Sequence, residues 1–493
     1  MNAPSVQHSL KPDSIGFLDS LAIGLNATSP AYSLAAVLAP IAVIVGVHAP
    51  GILLASFVPM LLIASAFHYL NRVDPDCGTT FSWVTRAMGP WAGWLGGWAI
   101  TMTGVLVVGS LAQVGVRFLL LMLGLDEAAT NEPLITVLSV ALILLMTWVC
   151  VIGTELSARL QSLLVLTQVV GLVAFVAVAL WRVYSGDATE GATLPSPDWL
   201  NPVSNGLEGL SAGLLLGVFA FWGWESSLNL TEETSDTTET PGRAGLWSTV
   251  ILVATYVGTA MAVIAFVGIP WLTERAAEEE AIFAEIAGLV LGPWAWLVLL
   301  AVATSAIAST QTTIIPASRT MLSMARRGGA LPAVFGRISA RYRTPTVSTW
   351  CVAAIGIVWY VLLRAISDNA LYDSLTALSL LIAFYYALTG IACAVYYRRR
   401  LFDDMRTFFL VGVGPAVGAG MLLWLLALSV LDMSDPENSY SGEAWFGLGP
   451  PLVIGIGIFT AGVLIMLAQR LRGGPFWSER PQVVPPAPAE GGH

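Results

Sequence analysis

The sequence predicts an all-α polytopic membrane protein with about 12 transmembrane helices. Of its 493 residues, 56% are hydrophobic and only 11% are charged, and the mean hydropathy is +0.76. A soluble domain carries roughly 25% charged residues, because charge keeps its surface hydrated. Apolar runs recur along the chain, and an α-helix needs about 20 such residues to cross a bilayer core about 30 Å thick.

Composition also argues against several other classes of protein. A formal charge of −10 disfavours a nucleic-acid partner, since no basic cluster offsets it. The four cysteines are scattered, so neither a disulfide framework nor a metal site is predicted. A Gly-x-Ser-x-Gly match at Gly209–Gly213 lacks the preceding strand and the histidine partner of a hydrolase. We therefore expect no catalytic residue, no cofactor and no metal.

The apolar runs also define the domain organisation. A polar N-terminal tail (1–14) precedes the transmembrane domain (15–472), and the Pro-rich tail (473–493) is predicted to be disordered. No soluble domain fits between the spans. The twelve predicted spans lie near 16–47, 50–70, 91–123, 133–152, 157–182, 207–234, 246–269, 293–323, 346–365, 371–397, 407–431 and 447–469.

The basic residues predict the orientation. An even number of spans puts both termini on one side, and 18 of the 22 Lys and Arg residues lie at or beyond span ends on that side. Only Arg117, Arg182, Arg275 and Arg364 lie on the other side. Because cytoplasmic loops carry the excess of Lys and Arg, we expect both termini in the cytoplasm and the chain in a plasma membrane.

Two spans contain breaks that an ordinary helix avoids. In the first span, Pro30 removes a backbone donor, and Asn26, Thr28 and Ser29 can bond to the freed backbone groups. In the sixth span, Gly223 loosens the helix next to Glu225. Irregular backbone at membrane depth is tolerated only where protein or a water-filled cavity covers it. An ionisable group at that depth is a functional residue by default.

The positions of the two breaks predict an internal repeat. Interrupted helices at matching places in two halves mark a binding site at the bilayer midplane of inverted-repeat transporters. The first and sixth spans begin units of five spans each, and the odd number inverts the second unit. We therefore predict a five-plus-five inverted repeat with discontinuous helices one and six, followed by two further C-terminal helices.

Four segments resemble one family, the amino acid–polyamine–organocation permeases. Phe221–Glu225 is similar to the family's Phe-x-Gly-x-Glu signature in helix six, and Gly153–Gln161 resembles the start of its helix five. Ala317–Pro332 is similar to the end of helix eight and the following loop, and Phe384–Arg400 resembles helix ten with its basic end. The matches cover roughly residues 15–400 in family order.

This resemblance implies a leucine-transporter-like fold that works by alternating access. The broken first helix would present backbone N–H groups to a substrate carboxylate, because a helix N-terminus carries partial positive charge. Freed carbonyls of helix six would bind the substrate amine, and Phe219 would be a gating aromatic. The predicted substrate-binding residues are Asn26, Ala27, Thr28, Ser29, Pro30, Phe219, Ala220, Phe221, Trp222 and Gly223.

The sequence departs from the family pattern in ways that bear on coupling. Ser29-Pro30-Ala31 replaces the Gly-Ser-Gly of helix one, and the neutral Gln168 stands where many members carry a helix-five lysine. Thr304 and Ser305 resemble sodium ligands of sodium-coupled relatives, although hydroxyls are also common in helix packing. We assign coupling or gating to Glu225, Gln168, Thr304 and Ser305.

These residues favour a secondary active transporter that imports an amino acid, with a proton as the preferred coupling ion. A polyamine or other organic amine, or amino-acid exchange, is the alternative. A channel or a membrane sensor is a second class, but a channel needs a continuous polar file and a sensor needs a soluble output domain. The expected partners are the small-molecule substrate and the lipid bilayer, and no nucleic acid.

Overall fold

The computed structural model describes residues 9–275, 279–366 and 368–484, and in this part the regular structure is helical, without a β-sheet. Short 3₁₀ helices and one π-helical segment, Phe408–Val413, connect or extend the α-helices. The α-helices are α1 (Phe17–Ala27), α2 (Pro30–Val45), α3 (Ala49–Val73), α4 (Thr80–Met88), α5 (Pro90–Met122), α6 (Asp126–Ala129), α7 (Glu132–Ile152), α8 (Thr154–Ser185), α9 (Gly206–Gly217), α10 (Thr240–Glu274), α11 (Glu279–Leu291), α12 (Trp296–Arg326), α13 (Thr346–Ile366), α14 (Asp368–Tyr396), α15 (Met405–Thr407), α16 (Gly414–Asp432) and α17 (Pro450–Arg472).

The described helices form eleven stretches long and apolar enough to cross a membrane. The first stretch, Phe17–Val73, has 57 residues, and one straight helix of that length would measure about 85 Å, far more than a bilayer. It contains α1, α2 and α3, and the chain turns at the 3₁₀ segment Gly46–His48. Two crossings therefore share this stretch, and the prediction of an all-helical polytopic protein with about twelve spans is confirmed.

The centre of the bundle is formed by α5 and α12. Nearly every residue of α12 from Ala301 to Ala325 is buried, although many are Ser or Thr. The backbones of the two helices come into close contact at Gly104, where an added Cβ would lie 2.7 Å from the Thr313 carbonyl oxygen. The polar face of α12 is thus enclosed by protein and shielded from lipid.

Both described ends of the chain lie at the same end of the bundle. The Arg343 Nη2 atom lies 2.5 Å from the Ser9 Oγ, and Lys11 pairs with Glu155 at 2.6 Å. From the other end of the chain, the Gln482 N–H donates to the Arg86 carbonyl at 2.6 Å. We call this end, with the loops 74–79, 234–239 and 327–345, the terminal face. The opposite end is the distal face.

The segment 473–484, which we call the C-terminal strap, was predicted to be disordered. In the structure it is packed against the bundle. Phe476 is fully buried and Trp477 nearly so, in a cluster with Phe81 and Trp94. The Trp477 indole donates to the Gly329 carbonyl at 3.0 Å. Two apolar anchors among the prolines explain why this segment docks. The rest of the predicted disordered tail, 485–493, lies outside the described residues.

Candidate substrate site

The first predicted break lies between α1 and α2. Thr28 and Ser29 separate the two helices, and Ser29 adopts a left-handed backbone conformation with φ 51° and ψ 59°. Pro30 is the first residue of α2 and has no N–H. The first N–H groups of a helix have no partner within it, so the start of a helix such as α2 can present backbone donors.

The second predicted break follows α9. A short 3₁₀ turn, Phe219–Phe221, leads to an extended Trp222 and to Gly223 with φ 118°, and a 3₁₀ helix then runs over Trp224–Glu233. A Cβ atom at Gly223 would lie 2.4 Å from the Ala27 carbonyl oxygen. The two breaks therefore touch each other, and only glycine fits the contact.

Glu225 holds the second break against α14. Its carboxylate accepts hydrogen bonds from the hydroxyls of Tyr385 and Tyr386, and from the Gly223 N–H at 3.2 Å. The Trp222 indole N–H in turn donates to the Tyr385 hydroxyl at 2.5 Å. Only 4% of Glu225 is exposed. A fully bonded carboxylate thus links the unwound backbone to a helix some 160 residues away in sequence.

A cavity of about 290 Å³ lies between the two breaks and extends to the distal face, where Tyr440 is half-exposed. Its walls are mostly apolar and come from α2, α5, α9 and α14, while its outer end is formed by the end of α16 and the loop after it. No Lys or Arg is among the described residues that line it. The lining residues are Ala27, Thr28, Ser29, Tyr32, Ser33, Ala36, Val37, Val107, Leu111, Leu215, Leu216, Phe219, Ala220, Trp222, Tyr372, Leu375, Thr376, Leu378, Ser379, Ile382, Ser429, Asp432, Met433 and Tyr440.

Six of the ten predicted substrate-binding residues line this cavity: Ala27, Thr28, Ser29, Phe219, Ala220 and Trp222. The other four do not.

Phe221 is fully buried between the rings of Phe57 and Tyr256, with ring centroids 6.3 and 4.9 Å away. Pro30 faces a different, apolar cavity between α8 and α10. Gly223 is in contact with Ala27, and Asn26, the penultimate residue of α1, turns its side chain toward α8. In the irregular backbone around Phe219–Phe221, residue spacing alone did not predict which aromatic side chain faces the cavity.

Gln168 lies beside the first break, in a network of buried amides. Its Nε2 donates to the Asn26 Oδ1 at 2.7 Å, and the Asn26 Nδ2 donates to the Gln161 carbonyl at 2.6 Å. The Gln161 Nε2 donates to the Gln311 Oε1 at 2.7 Å. The Ser309 hydroxyl donates to the Asn26 carbonyl. A neutral amide network therefore joins α1, α8 and α12 at this point.

The hydroxyls of Thr304 and Ser305, which resemble sodium ligands in the sequence, point toward different partners. The Ser305 Oγ lies 3.1 Å from the Ser29 Oγ, at the first break. The Thr304 hydroxyl donates to the Leu300 carbonyl at 2.7 Å and accepts from Thr167 at 3.0 Å, toward α8. Neighbouring residues on a helix point about 100° apart, which accounts for the divergence.

Below the breaks, ion pairs close the terminal face. Arg319 and Glu233 are both fully buried and pair through two bonds of 3.1 and 3.2 Å. The Thr154 hydroxyl also donates to Glu233. The sequence marked Glu225 as an ionisable group at membrane depth and indicated no role for Arg319 or Glu233. Glu233 is a second buried carboxylate and Asp373 a third.

Asp76, Cys77 and Glu232 meet close enough to resemble a metal site at this face. Their carboxylates already have cationic partners, because Glu232 pairs with Arg326 at 2.8 Å and Asp76 lies 3.6 Å from Arg327. Burial strongly raises the pKa of the Cys77 thiol, which disfavours the thiolate that a metal needs. We therefore interpret this group as part of the ion-pair cluster.

Asp74 adds to the same cluster. It pairs with Arg86, and its carbonyl accepts from the Trp83 indole at 2.8 Å. Burial, together with the neighbouring charge of Asp76, raises the pKa of Asp74 to about 6. The terminal face therefore contains one carboxyl group that can bind a proton close to neutral pH.

Several residues of the site were missed by the sequence analysis as functional candidates: Tyr385, Tyr386, Gln161, Ser309, Gln311, Glu233 and Asp432. Tyr385, Tyr386 and Gln161 lay within segments quoted for the family resemblance, but nothing in their spacing indicated a role. The paired tyrosines on α14 were the strongest available signal, because adjacent phenols at membrane depth need polar partners.

A bundle of many spans, with two interrupted helices meeting at a cavity that reaches one face, defines a membrane transporter of the broken-helix type. Comparison with known proteins agrees. The chain belongs to the amino acid permease family, which it matches over residues 15–459.

Individual relatives are moderately similar. The chain is 24% identical to the branched-chain amino acid permease BcaP of Lactococcus lactis, over 84% of this chain and 87% of the relative. It is 24% identical to the human Asc-type amino acid transporter 1, over 84% of this chain and 73% of the relative. It is 30% identical to the polyamine transporter RMV1 of Arabidopsis thaliana, over 56% of this chain and 53% of that protein.

Proposed function

We propose that the chain is a secondary active transporter that imports an amino acid with an apolar side chain across the plasma membrane. The terminal face is cytoplasmic in this proposal, as the excess of Lys and Arg on that side suggests. The observation that carries the proposal is the cavity, which reaches the distal face from two touching breaks while ion pairs close the terminal face. This arrangement corresponds to an outward-facing state of an alternating-access cycle. No catalytic step and no cofactor is involved.

The cavity supports a zwitterionic substrate. Backbone N–H groups at the start of α2 can donate to the substrate carboxylate, and the irregular backbone near Phe219 can offer carbonyls to the ammonium. Leu111, Leu215 and Ile382 would surround an aliphatic side chain. The absence of Lys and Arg from the described lining disfavours an anionic substrate. The printed names of two relatives, a branched-chain permease and an Asc-type transporter, agree with this class.

A polyamine is the alternative substrate, favoured by two observations. One relative is named a polyamine transporter, and Asp432 contributes a carboxylate to the same cavity. Thermal-shift measurements on the purified protein with leucine and with putrescine would separate the two. A ligand at 100 times its Kd should stabilise the folded protein by about 2.7 kcal/mol. If putrescine stabilises the protein and leucine does not, the proposed substrate is a polyamine and not an amino acid.

Coupling to a proton is the preferred energy source in this proposal. Gln168 supplies no fixed positive charge next to the first break, and Thr304 and Ser305 diverge, which weakens the case for a sodium site between them. Uptake into proteoliposomes with an imposed proton or sodium gradient tests this directly. Substrate accumulation driven by a sodium gradient alone would overturn proton coupling. Substrate counterflow with neither gradient present would leave amino-acid exchange as the mode of transport.

Glu225 is the proposed proton-binding residue. Indole and backbone N–H groups only donate hydrogen bonds, so Tyr385 accepts from Trp222 and its own hydroxyl hydrogen goes to Glu225. Both Glu225 oxygens then act as hydrogen-bond acceptors in this conformation. A proton on Glu225 would displace the tyrosine hydroxyls, and we propose that this loosens α14 from the second break and permits closure.

The substitution Glu225→Gln tests this role, because it resembles the protonated form in shape and charge. We expect the variant to fold and bind substrate, while its uptake no longer depends on external pH. Uptake by wild type and variant is measured in proteoliposomes at several external pH values. Glu208→Gln, an exposed carboxylate on α9, is the matched control and should keep the wild-type profile. Parallel pH profiles for wild type and Glu225→Gln would mean that Glu225 is only structural.

A further inference from the structure

The outer part of the cavity has a chemistry that differs from its inner part. It is formed by Tyr372 and Thr376 of α14, by Ser429 and Asp432 of α16, and by Tyr440 in the loop that follows α16. We call these five residues the outer chamber. The helix α16 and its loop lie beyond the two predicted five-span units, so the two broken helices contribute nothing to this part.

The outer chamber combines aromatic faces with a carboxylate. The rings of Tyr372 and Tyr440 lie 5.4 Å apart at 30°. Asp432 ends α16 at the mouth of the cavity, and its Oδ1 accepts from the Asn438 Nδ2 at 3.1 Å. Aromatic faces and carboxylates attract organic ammonium groups, and no Lys or Arg lines the described cavity to compete.

Asp373 adds a second negative charge directly behind the aromatic pair. Its side chain is fully buried, and its Oδ1 accepts from the Tyr440 N–H at 2.9 Å. Among the described residues, its Oδ2 has no hydrogen-bond partner. A buried carboxylate oxygen without a partner is unfavourable, and a nearby cation relieves it. Asp373 therefore fixes the loop that carries Tyr440 and makes this region favourable for positive charge.

We propose that the outer chamber is a separate binding site for an organic ammonium group, which a substrate occupies before it reaches the breaks. The proposal rests on the proposed function, because the ammonium is that of the transported molecule. Amino acids and amines share this group, whereas their carboxylates and side chains differ. The outer chamber therefore selects for zwitterions and cations and against anions, and the inner part then distinguishes among them.

Choline tests the site because it has a quaternary ammonium group. It has no carboxylate, so it cannot bind to the start of α2 as an amino acid would. In proteoliposomes, choline should inhibit leucine uptake by the wild type competitively. Asp432→Asn should weaken this inhibition roughly tenfold, the loss expected for one contact with a charged group. Asp435→Asn is the matched control, since Asp435 is exposed three residues away but does not line the cavity. It should leave the inhibition unchanged.

A second readout does not require transport. Choline should raise the Tm of the purified wild type and of Asp435→Asn, but not that of Asp432→Asn. Tyr440→Leu should also reduce the shift, because it removes an aromatic face while keeping an apolar side chain.

If choline gives no shift in the wild type, or the same shift in Asp432→Asn, the outer chamber is not an ammonium site. If choline binds as expected while neither leucine nor putrescine is transported, the outer chamber stands and the proposed function falls.

Discussion

The two ends of the bundle are held in different ways. At the terminal face, a bidentate ion pair between Arg319 and Glu233 lies fully buried, and the C-terminal strap covers the adjoining helices. At the distal face, an open cavity ends at an aromatic pair, and the Tyr440 N–H donates to Asp373. Contacts between distant segments close the terminal face, while the cavity keeps the distal face accessible, which agrees with the proposed alternating-access cycle.

In the proposed cycle, the contacts that close the terminal face have to separate. The pair Arg319–Glu233 joins α12 to the terminal half of the broken sixth span, and Thr154 ties α8 to the same carboxylate. A buried ion pair adds little net stability over an apolar pair, but removing only one of its two charged groups is strongly destabilising. Such a pair is suited to hold one conformation firmly and to separate only when both groups are rehydrated together.

Removing one partner of the buried pair should have the largest effect on stability. Arg319→Gln leaves Glu233 buried without its cation, and such a change costs about 3–5 kcal/mol. The free energy of unfolding, measured by denaturant titration in detergent, should fall accordingly, and the double variant Arg319→Met/Glu233→Leu should recover part of the loss. Glu155→Gln, which breaks the exposed pair with Lys11, is the control and should change the free energy of unfolding little. Equal losses for Arg319→Gln and Glu155→Gln would contradict the contrast between the two ends.

The contact between the two breaks can be disrupted by a substitution at Gly223. Gly223→Ala places a methyl group against the Ala27 carbonyl and forces alanine to φ 118°, which costs about 1–3 kcal/mol. We expect uptake to be lost while the helical content seen by circular dichroism is kept. Gly420→Ala, where an added Cβ meets no atom within 4 Å, should transport normally. Wild-type uptake by Gly223→Ala would show that the breaks need not touch.

The C-terminal strap offers the smallest expected effect. Phe476→Ala combined with Trp477→Ala should release the strap, because both anchors of its docking are lost. The amides of Phe476, Gln482 and Val484, which donate to backbone carbonyls of Gly328, Arg86 and Tyr396, should then exchange faster with deuterium. The Tm should change little, since a terminal segment can detach without unfolding the bundle. Phe402→Ala, an exposed aromatic, is the control. Unchanged exchange would mean that other contacts dock the strap.

The sequence predicted the spans and both breaks, because hydropathy and the residues Pro30 and Gly223 are local signals. It also indicated that Glu225 is special, since a carboxylate in an apolar run needs an explanation. It did not indicate what Glu225 contacts, because Tyr385 and Tyr386 lie some 160 positions away and no periodicity encodes such a pairing. The buried pair Arg319–Glu233 was missed for the same reason: each residue alone resembles a charge at a helix end.

The C-terminal strap and Phe221 show a different limit. Composition predicted disorder after residue 472, but two bulky side chains dock the segment against Phe81 and Trp94. Phe221 was predicted to bind substrate because it lies in the second break, but its side chain does not line the cavity. In a broken helix the backbone direction changes from one residue to the next, so the face of each side chain depends on tertiary packing that the sequence pattern does not contain.

Cys77 lies at the point where the terminal face would have to part. Its thiol is fully buried, and the Sγ lies 3.7 Å from the Arg319 carbonyl oxygen, between Asp76 and Glu232. Thiol reagents attack the exposed thiolate, so this cysteine is inert while the ion pairs hold. When they separate, water and reagent reach it together. The rate at which a maleimide modifies Cys77 therefore reports how often the terminal face opens, without any engineered label.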